Sequence, residues 1–280
     1  MRRILPILLA VVLILMGCTT TKRVGGGNVS PFQSLMRRGD LLVTFDCKKE
    51  PELALSLLGS EELSKRATRI SAAVHDDQFP LSLERASLSA LVEGDYPSFL
   101  VSIAMGSSKD FTKKDGYYQN GASSIGSLSS KVILSTNGDF TEEKTRIGEG
   151  PVWINDETAM KLASSSLALY SLQPTSFITM DGITKNVLEK IDAVLIIIDK
   201  VEGKRFLSAR FTMQTEEQAS TLSKLMKSGY MLNLRTNKLP YDLETLKGMF
   251  TLQGNLLTIE GMEITEQKWN DIVRSFSFSF

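Results

Sequence analysis

His75 is the single histidine of the chain, and two carboxylates, Asp76 and Asp77, follow it directly. Imidazole and carboxylate groups can bind zinc, and His75 and Asp77 would share one face of a strand. A zinc site needs three or four converging ligands, however, and Asp-Asp before Gln78-Phe79-Pro80 is also typical of a turn between strands. We therefore predict a turn at this point and no metal site.

The sequence offers few residues for nucleophilic catalysis. A single histidine leaves Ser-His-Asp and Cys-His arrangements only one base, and no G-x-S-x-G elbow, Walker A loop or G-x-G-x-x-G motif after a strand occurs. Carboxylate pairs such as Glu142-Glu143 and Glu216-Glu217 are adjacent, so their side chains point in different directions. We predict a protein without enzymatic activity and without a cofactor.

Cys47 ends a predicted strand in Phe45-Asp46-Cys47, and the only other cysteine of the chain is Cys18. A free cysteine among apolar residues behaves as a small hydrophobic side chain. We expect Cys47 to be buried in this role, and a disulfide to a second molecule is the alternative.

The amino terminus has the pattern of a signal peptide. Arg2 and Arg3 give a short positive segment, and the uncharged apolar run from Ile4 to Met16 follows it. These thirteen residues would reach about 20 Å as a helix, short of the roughly 30 Å hydrocarbon core of a bilayer. We therefore interpret the run as the apolar part of a signal peptide and not as a membrane span.

The leader ends in Leu15-Met16-Gly17-Cys18, which resembles the lipobox of bacterial lipoproteins. The resemblance implies cleavage after Gly17, a diacylglycerol on the Cys18 sulfur and a fatty acyl group such as palmitate on the new amino terminus. Thr19 stands where lipoproteins of an inner membrane often have Asp, so the resemblance implies an outer-membrane location in a bacterium with two membranes. An ordinary cleaved signal peptide is the alternative.

Composition bounds the remaining function classes. Lys and Arg number 32, Asp and Glu number 32, and apolar residues make up 42% of the chain. These values are ordinary for a globular protein and exclude a collagen, a disulfide scaffold and a mostly disordered chain. Because neither charge is in excess, we expect no nucleic-acid partner. The expected partners are the membrane, through the lipid on Cys18, and a candidate envelope protein.

Hydrophobic periodicity predicts an α+β fold in which antiparallel sheets are packed by helices, with two related β-β-α-(β)-β-α lobes. The predicted organisation is a signal peptide at 1–17, a flexible tether with Gly25-Gly26-Gly27 at 18–35, a first lobe at 36–175 and a second lobe at 176–280. Ser89-Ala90 matches Ser208-Ala209 at a spacing of 119, and Val132 to Leu134 falls about 117 before Met249 to Thr251.

In the second lobe, Ala193 to Ile198 predicts a strand, and Asp199 to Lys204 predicts a hairpin turn to a second strand. This second strand has the apolar residues Leu207, Ala209, Phe211 and Met213 on one face and Ser208, Arg210 and Thr212 on the other. Thr215 and Gln218 fit a capping box that begins a helix, and Gly229 is predicted to end it. Two strands joined at Gly254-Asn255 and a last helix from about Thr265 complete this lobe.

In the first lobe, Ile70, Ala72 and Val74 alternate as a strand, and Asp95 and Gly106 bracket a predicted helix. Asn137-Gly138 is a turn signal after a strand at Val132 to Ser135. A helix is predicted over residues 156–172, with Met160, Ala163, Leu167 and Tyr170 on one face. We expect this face to pack in the core, and contact with lipid is the alternative.

The polar stretch from Ser107 to Ser130 is the predicted partner-facing loop, since it holds Phe111, Tyr117 and Tyr118 among Lys, Gly and Ser residues. The alternative is that these aromatics pack onto the lobe. The alternating tail with Phe276, Phe278 and Phe280 is expected to form an edge strand or a docked end.

Three functional hypotheses follow. The leading one is a lipid-anchored envelope protein whose non-catalytic body binds a macromolecule or serves a structural role. The second is a carrier of a small apolar ligand or lipid, which requires an apolar cavity between sheet and helices. The third is an envelope hydrolase, which requires converging acids or a metal near His75.

Overall fold

A computed structural model of the chain describes residues 31–58, 61–76, 85–97, 101–102, 106, 110–172, 174, 183–236 and 242–275. Within these residues the chain forms one twelve-stranded antiparallel sheet with helices packed against it. The predicted α+β class is confirmed, but both halves of the chain contribute to a single sheet.

The strands are β1 (Leu41–Asp46), β2 (Ala67–His75), β3 (Ser87–Gly94), β4 (Thr112–Lys113), β5 (Tyr118–Asn120), β6 (Ser123–Ser129), β7 (Val132–Thr136), β8 (Leu167–Leu172), β9 (Ile191–Val201), β10 (Lys204–Met213), β11 (Phe250–Gln253) and β12 (Leu256–Ile264). The helices are the 3-10 turn η1 (Pro31–Ser34), α1 (Pro51–Leu58), α2 (Glu61–Arg66), α3 (Phe140–Glu149), α4 (Asp156–Ser164), α5 (Lys185–Leu188), α6 (Glu216–Thr236), α7 (Leu243–Met249) and α8 (Glu266–Ser275).

The order of the strands shows a repeat within the sheet, which runs β11-β12-β10-β9-β8-β1-β2-β3-β7-β6-β5-β4. From the centre outwards, the first half contributes β2-β3-β7-β6 and the second half contributes β9-β10-β12-β11. Each set consists of two hairpins. The second strand of the outer hairpin, β7 or β12, pairs with the inner hairpin. Strands β1 and β8 lie between the two sets.

This order corrects one part of the predicted repeat. Strand β7 lies beside β3, and β12 lies beside β10, so β12 is the counterpart of β7. The segment from Met249 to Thr251 overlaps β11, which corresponds to β6 instead. The equivalence of Ser89-Ala90 in β3 with Ser208-Ala209 in β10 agrees with the strand order.

The two faces of the sheet carry different cores. We call the side that contacts η1, α3 and α4 the front face, where Leu42, Leu91 and Leu134 are fully buried. The other side, the back face, packs against α1, α2, α6 and α8. Residues alternate between the faces along each strand, so Ile198 in β9 and its back-face neighbours link the cores of the two halves.

The helix predicted over residues 156–172 is wrong in its second half. Helix α4 ends at Ser164, and Leu167–Leu172 forms β8, a central strand paired with β1 and β9. Leu167 and Ala168 are both fully buried, on opposite faces. A short apolar run that is buried on both faces has no distinguishing periodicity. Met160 of the predicted stripe is exposed, and Ala159 and Leu162 face the core instead.

The capping box predicted at the start of α6 is confirmed. Thr215 Oγ1 accepts a hydrogen bond from the Gln218 N–H at 3.3 Å, and Gln218 Oε1 accepts one from the Thr215 N–H at 3.1 Å. The predicted end at Gly229 is wrong, because α6 continues to Thr236. Leu234, beyond the glycine, is buried, so packing of the last turns offsets the low helix propensity of glycine.

Turn and helix signals in the first half have mixed outcomes. Asn137-Gly138 does lie in a turn, which leads to Asp139, the N-cap of α3, whose side chain accepts from the Glu142 N–H. Residues 101–102 and 106 are helical, and most of the rest of the helix predicted from Asp95 lies outside the described residues.

Candidate functional site

His75 is paired with a buried carboxylate that the sequence analysis did not identify. Asp40 precedes β1 and His75 ends β2, and the pairing of Leu41 with Val74 brings their ends together. Nδ1 of His75 lies 2.6 Å from Oδ1 of Asp40. Burial raises the pKa of Asp40, outweighing hydrogen bonds from the Arg37 N–H and from His75 that lower it. The arrangement can orient an imidazole.

The carboxylates next to His75 in sequence do not join it in a metal centre. Asp76 Oδ2 accepts a hydrogen bond from Arg85 at 2.9 Å, and Asp77, with the turn predicted after it, lies outside the described residues. Over the part of the chain that the structure describes, no group of three or more His, Cys, Asp or Glu side chains is placed to hold a metal ion.

Glu143 lies at the centre of a buried polar network on the front face. Its carboxylate accepts hydrogen bonds from Arg37, from Arg146 and, at 2.8 Å, from Ser89 Oγ. Burial alone would raise the pKa of Glu143, but the hydrogen bonds from Arg146 and Ser89 outweigh it and hold the pKa below its usual range. The neighbouring Glu142 is exposed, as expected for adjacent carboxylates with different directions. The network fixes α3 to β3 and η1.

Glu50, Arg205 and Trp269 form a second buried cluster, on the back face. Arg205 donates from Nη1 to Glu50 Oε1 at 2.5 Å and from Nη2 to Oε2 at 2.9 Å. The Trp269 ring of α8 covers the guanidinium, with 3.6 Å between the Arg205 Cζ and the ring centroid. All three side chains are buried, so the cluster ties the start of α1 to β10 and α8. Among the described residues, the buried Nε of Arg205 has no hydrogen-bond partner. We assign the cluster a structural role, because the charges of the guanidinium and the carboxylate neutralise each other.

Cys47 lies in the back-face core, as predicted from its apolar surroundings. Burial raises the pKa of its thiol to about 12, and the nearby Asp46 carboxylate acts in the same direction. A thiol in this state is a poor nucleophile at neutral pH. The burial argues against the alternative of a disulfide to a second molecule.

The partner-facing segment predicted at Ser107 to Ser130 is not a loop throughout, because it contains the strands β4, β5 and β6 at the edge of the sheet. Tyr118 is buried and donates from its hydroxyl to the Ser102 carbonyl at 3.1 Å. Phe111 is half-buried against the back-face core, and Tyr117 stacks on Phe140 with 4.6 Å between ring centroids. The aromatics therefore pack onto the body, which was the alternative interpretation.

The predicted lipidation site Cys18, the cleavage site at Gly17 and the tail with Phe276, Phe278 and Phe280 lie outside the described residues. No helix within the described ranges has the length and apolar character needed to cross a membrane.

In β10 and β12 of the second half, the two faces of the sheet differ in burial. On the back of β10 and β12, Ala209, Phe211 and Leu257 are buried to 3% exposure or less under α6. The front-facing residues of the same strands are only half-buried, and we call this surface the open front face: Phe206, Ser208, Arg210, Thr212, Leu256 and Thr258. Arg210 of this surface forms an ion pair with Glu157 of α4, at 3.5 Å.

Three exposed apolar side chains lie in and before α4, and of these the sequence pattern singled out only Met160, as part of a predicted stripe. Val152 and Trp153 lie between α3 and α4 with 51% and 38% exposure, and Met160 on α4 is 66% exposed. Val152 and Trp153 could have been found from the sequence. They follow Pro151 in a short segment without apolar residues at helix or strand spacing, which indicates a tryptophan that is not part of the core.

The arrangement of sheet and helices has a counterpart among solved structures. The fold is similar to that of TP0453. Crystal form I of TP0453 matches with a TM-score of 0.58 and 12% identity, over 89% of this chain and 98% of that chain. Crystal form IV matches with a TM-score of 0.57 and 11% identity, over 88% and 97%. No protein-family model and no curated protein matches the sequence. At this identity the likeness concerns the fold alone.

Proposed function

We propose that the protein is a lipid-anchored lipoprotein of a bacterial cell envelope, with a non-catalytic body that binds another envelope protein. The lipobox pattern Leu15-Met16-Gly17-Cys18 supports the anchor, because a positive segment, an apolar run and a cysteine follow one another in the required order. Cys18 carries the lipid, the bond after Gly17 is cleaved, and Thr19 favours the outer membrane.

The way in which the body begins suits a chain that is held by its amino terminus. Phe32, Leu35 and Met36 are buried in the front-face core, and the Ser34 carbonyl accepts a hydrogen bond from Arg146 at 2.8 Å. The segment that follows the proposed tether is therefore packed against the sheet and bonded to α3.

The open front face is the single observation that carries the binding role. It combines the aromatic Phe206, the guanidinium of Arg210 and the aliphatic Leu256 with the hydroxyls of Ser208 and Thr258. Mixed surfaces of aromatic, Arg and aliphatic residues with polar neighbours are typical of interfaces between proteins that also exist apart. Helix α6 covers the back of the same strands. The proposed partner covers their front.

Site-specific photo-crosslinking in cells tests this role. A photoreactive residue replaces Ser208 in the complete lipidated chain, and a matched variant carries it at Ser228, which is exposed on α6 on the other side of the sheet. We expect a discrete crosslinked protein from position 208 that is absent from position 228. Arg210→Glu in the first variant should reduce the yield, because it reverses the charge at the centre of the open front face.

Equal crosslinking from both positions, or none from position 208 in a correctly localised and folded chain, would refute the binding role of this face.

A further inference from the structure

The chain that leads to the lipid joins the body beside the exposed apolar group of Val152, Trp153 and Met160. Gln33 of η1 donates from Nε2 to the Ile154 carbonyl at 3.2 Å, and the same atom lies 3.5 Å from Asp156 Oδ1. Ile154 directly follows Trp153 in the chain and is itself buried. The 3-10 turn η1 and the loop of Val152 and Trp153 are therefore fixed to each other.

Met160 belongs to the same side of the molecule. It lies four residues after Asp156 on α4, and residues four apart share a helix face. Because Asp156 faces Gln33, Met160 lies one turn further along the side of α4 that faces η1. The three exposed apolar side chains thus lie around the point where the chain enters the body.

The length of the chain before Pro31 limits the distance of this surface from the lipid. Pro31 lies thirteen positions after Cys18, and a chain of this length spans at most about 45 Å when fully extended. A lipidated Cys18 would therefore hold the surface close to the bilayer at a high local concentration. Under such conditions a weak intrinsic affinity for lipid is sufficient for contact.

The chemistry of the three side chains fits a lipid surface. Tryptophan concentrates at membrane interfaces, where its ring lies among the acyl chains and its N–H reaches polar headgroups. Valine and methionine add apolar area with no charge to desolvate. A second point of contact beside a lipid anchor also strengthens membrane attachment.

We propose that Val152, Trp153 and Met160 insert into the headgroup and upper acyl region of the membrane that holds Cys18, and so fix the orientation of the body on it. This inference rests on the proposed lipid anchor. It adds a protein surface that contacts the lipid directly.

Quenching of tryptophan fluorescence by brominated lipid tests the inference. The complete lipidated chain is reconstituted into vesicles of phosphatidylethanolamine and phosphatidylglycerol, with or without bromine on the acyl chains. The protein has two tryptophans. Trp269 is buried against Arg205, so its fluorescence should not be quenched by the lipid and gives a constant background. We expect brominated lipid to remove most of the Trp153 emission, and the variant Trp153→Phe to show no quenching.

A second variant, Val152→Asp, places a charge on an exposed position beside Trp153 and should restore the emission while the protein still floats with the vesicles. Equal emission in both kinds of vesicle from protein that floats would overturn the membrane contact and leave the anchor intact. Protein that does not float, with an unmodified Cys18, would overturn the anchor and the inference together.

Discussion

Arg205 and Glu50 form an ion pair with two hydrogen bonds, of 2.5 and 2.9 Å, that joins the second half of the chain to the first. The two residues are 155 positions apart, and both are buried. Trp269 closes the pair from the side of α8. The contact fixes β10 and α8 against the start of α1, so the two halves are held together by a polar contact as well as by the shared sheet.

Glu50→Gln should lower the free energy of unfolding by about 3 kcal/mol, because it leaves the Arg205 charge buried without a counter-charge. The double variant Glu50→Gln with Arg205→Met should lose less free energy of unfolding than the two single variants lose in sum. Urea denaturation measures both. Glu244→Gln is a matched control, since Glu244 pairs with Lys247 at 2.9 Å on the exposed surface of α7. An equal loss from both glutamates would contradict the assigned role of the buried pair.

The network around Glu143 should make stability depend on pH in a defined direction. The pKa of Glu143 is lower in the folded chain than its unfolded value of about 4.3, so its stabilising contribution is complete above that value. The contribution is lost as the pH falls through the folded pKa. Glu143→Gln should therefore be less stable than the wild type at pH 7, and the difference should narrow in acid.

Denaturant unfolding at a series of pH values measures this difference, with Glu142→Gln as the control on the exposed neighbour. If the difference in free energy of unfolding between wild type and Glu143→Gln grows as the pH falls, the predicted direction of the pH dependence is wrong.

Cys47 should resist thiol reagents in the folded protein. Its side chain is buried, and a thiol with a pKa of about 12 holds almost no thiolate at pH 8. Labelling with a chromogenic disulfide should be slow in native buffer and fast in urea, and in the lipidated chain it should report a single thiol. Rapid labelling of the native chain would contradict the described packing of the back-face core.

Gly126 in β6 should not tolerate a side chain. A Cβ at this position would lie 2.6 Å from Phe140 Cζ and 3.1 Å from the Gly116 carbonyl oxygen. Gly126→Ala should therefore lower the free energy of unfolding by about 1–3 kcal/mol through overpacking. Gly229→Ala in the middle of α6 meets no atom within 4 Å and should raise it by up to about 1 kcal/mol. Thermal unfolding distinguishes the two, and a stabilising Gly126→Ala would refute the contact with Phe140.

Elements whose signals are local could be predicted from the sequence. The hairpin of β9 and β10 follows the alternation of residues with one buried face, and its odd-numbered residues Ala209 and Phe211 do face the back core. The capping box of Thr215 and Gln218 involves residues three apart and needs no knowledge of the rest of the fold. The general α+β class follows from such elements.

Elements that depend on tertiary pairing could not be predicted in this way. Strand β8 has apolar residues on both faces because it lies at the centre of the sheet, and this pattern does not distinguish a strand from a buried helix. The Gly- and Ser-rich strand β6 has low intrinsic strand preference and is formed by its pairing with β7.

The same reason explains the contacts that were missed. Asp40 meets His75 only because β1 and β2 pair in one register, and a shift by one residue would move each side chain to the other face. Glu50, which follows β1, meets Arg205 of β10 across three strand pairings, β1 with β8, β8 with β9 and β9 with β10. Periodicity reveals which face a residue occupies, and it contains no information on which distant residue lies opposite.

Mass spectrometry of the amino-terminal peptide of the mature protein tests the central claim most directly. If the protein is a lipid-anchored envelope binder, the peptide begins at Cys18, carries a diacylglycerol on the sulfur and has a fatty acyl group on its amino nitrogen. An unmodified Cys18 thiol, or a peptide that still contains residues 1–17, would contradict the anchor and with it the proposed attachment of the body to a membrane.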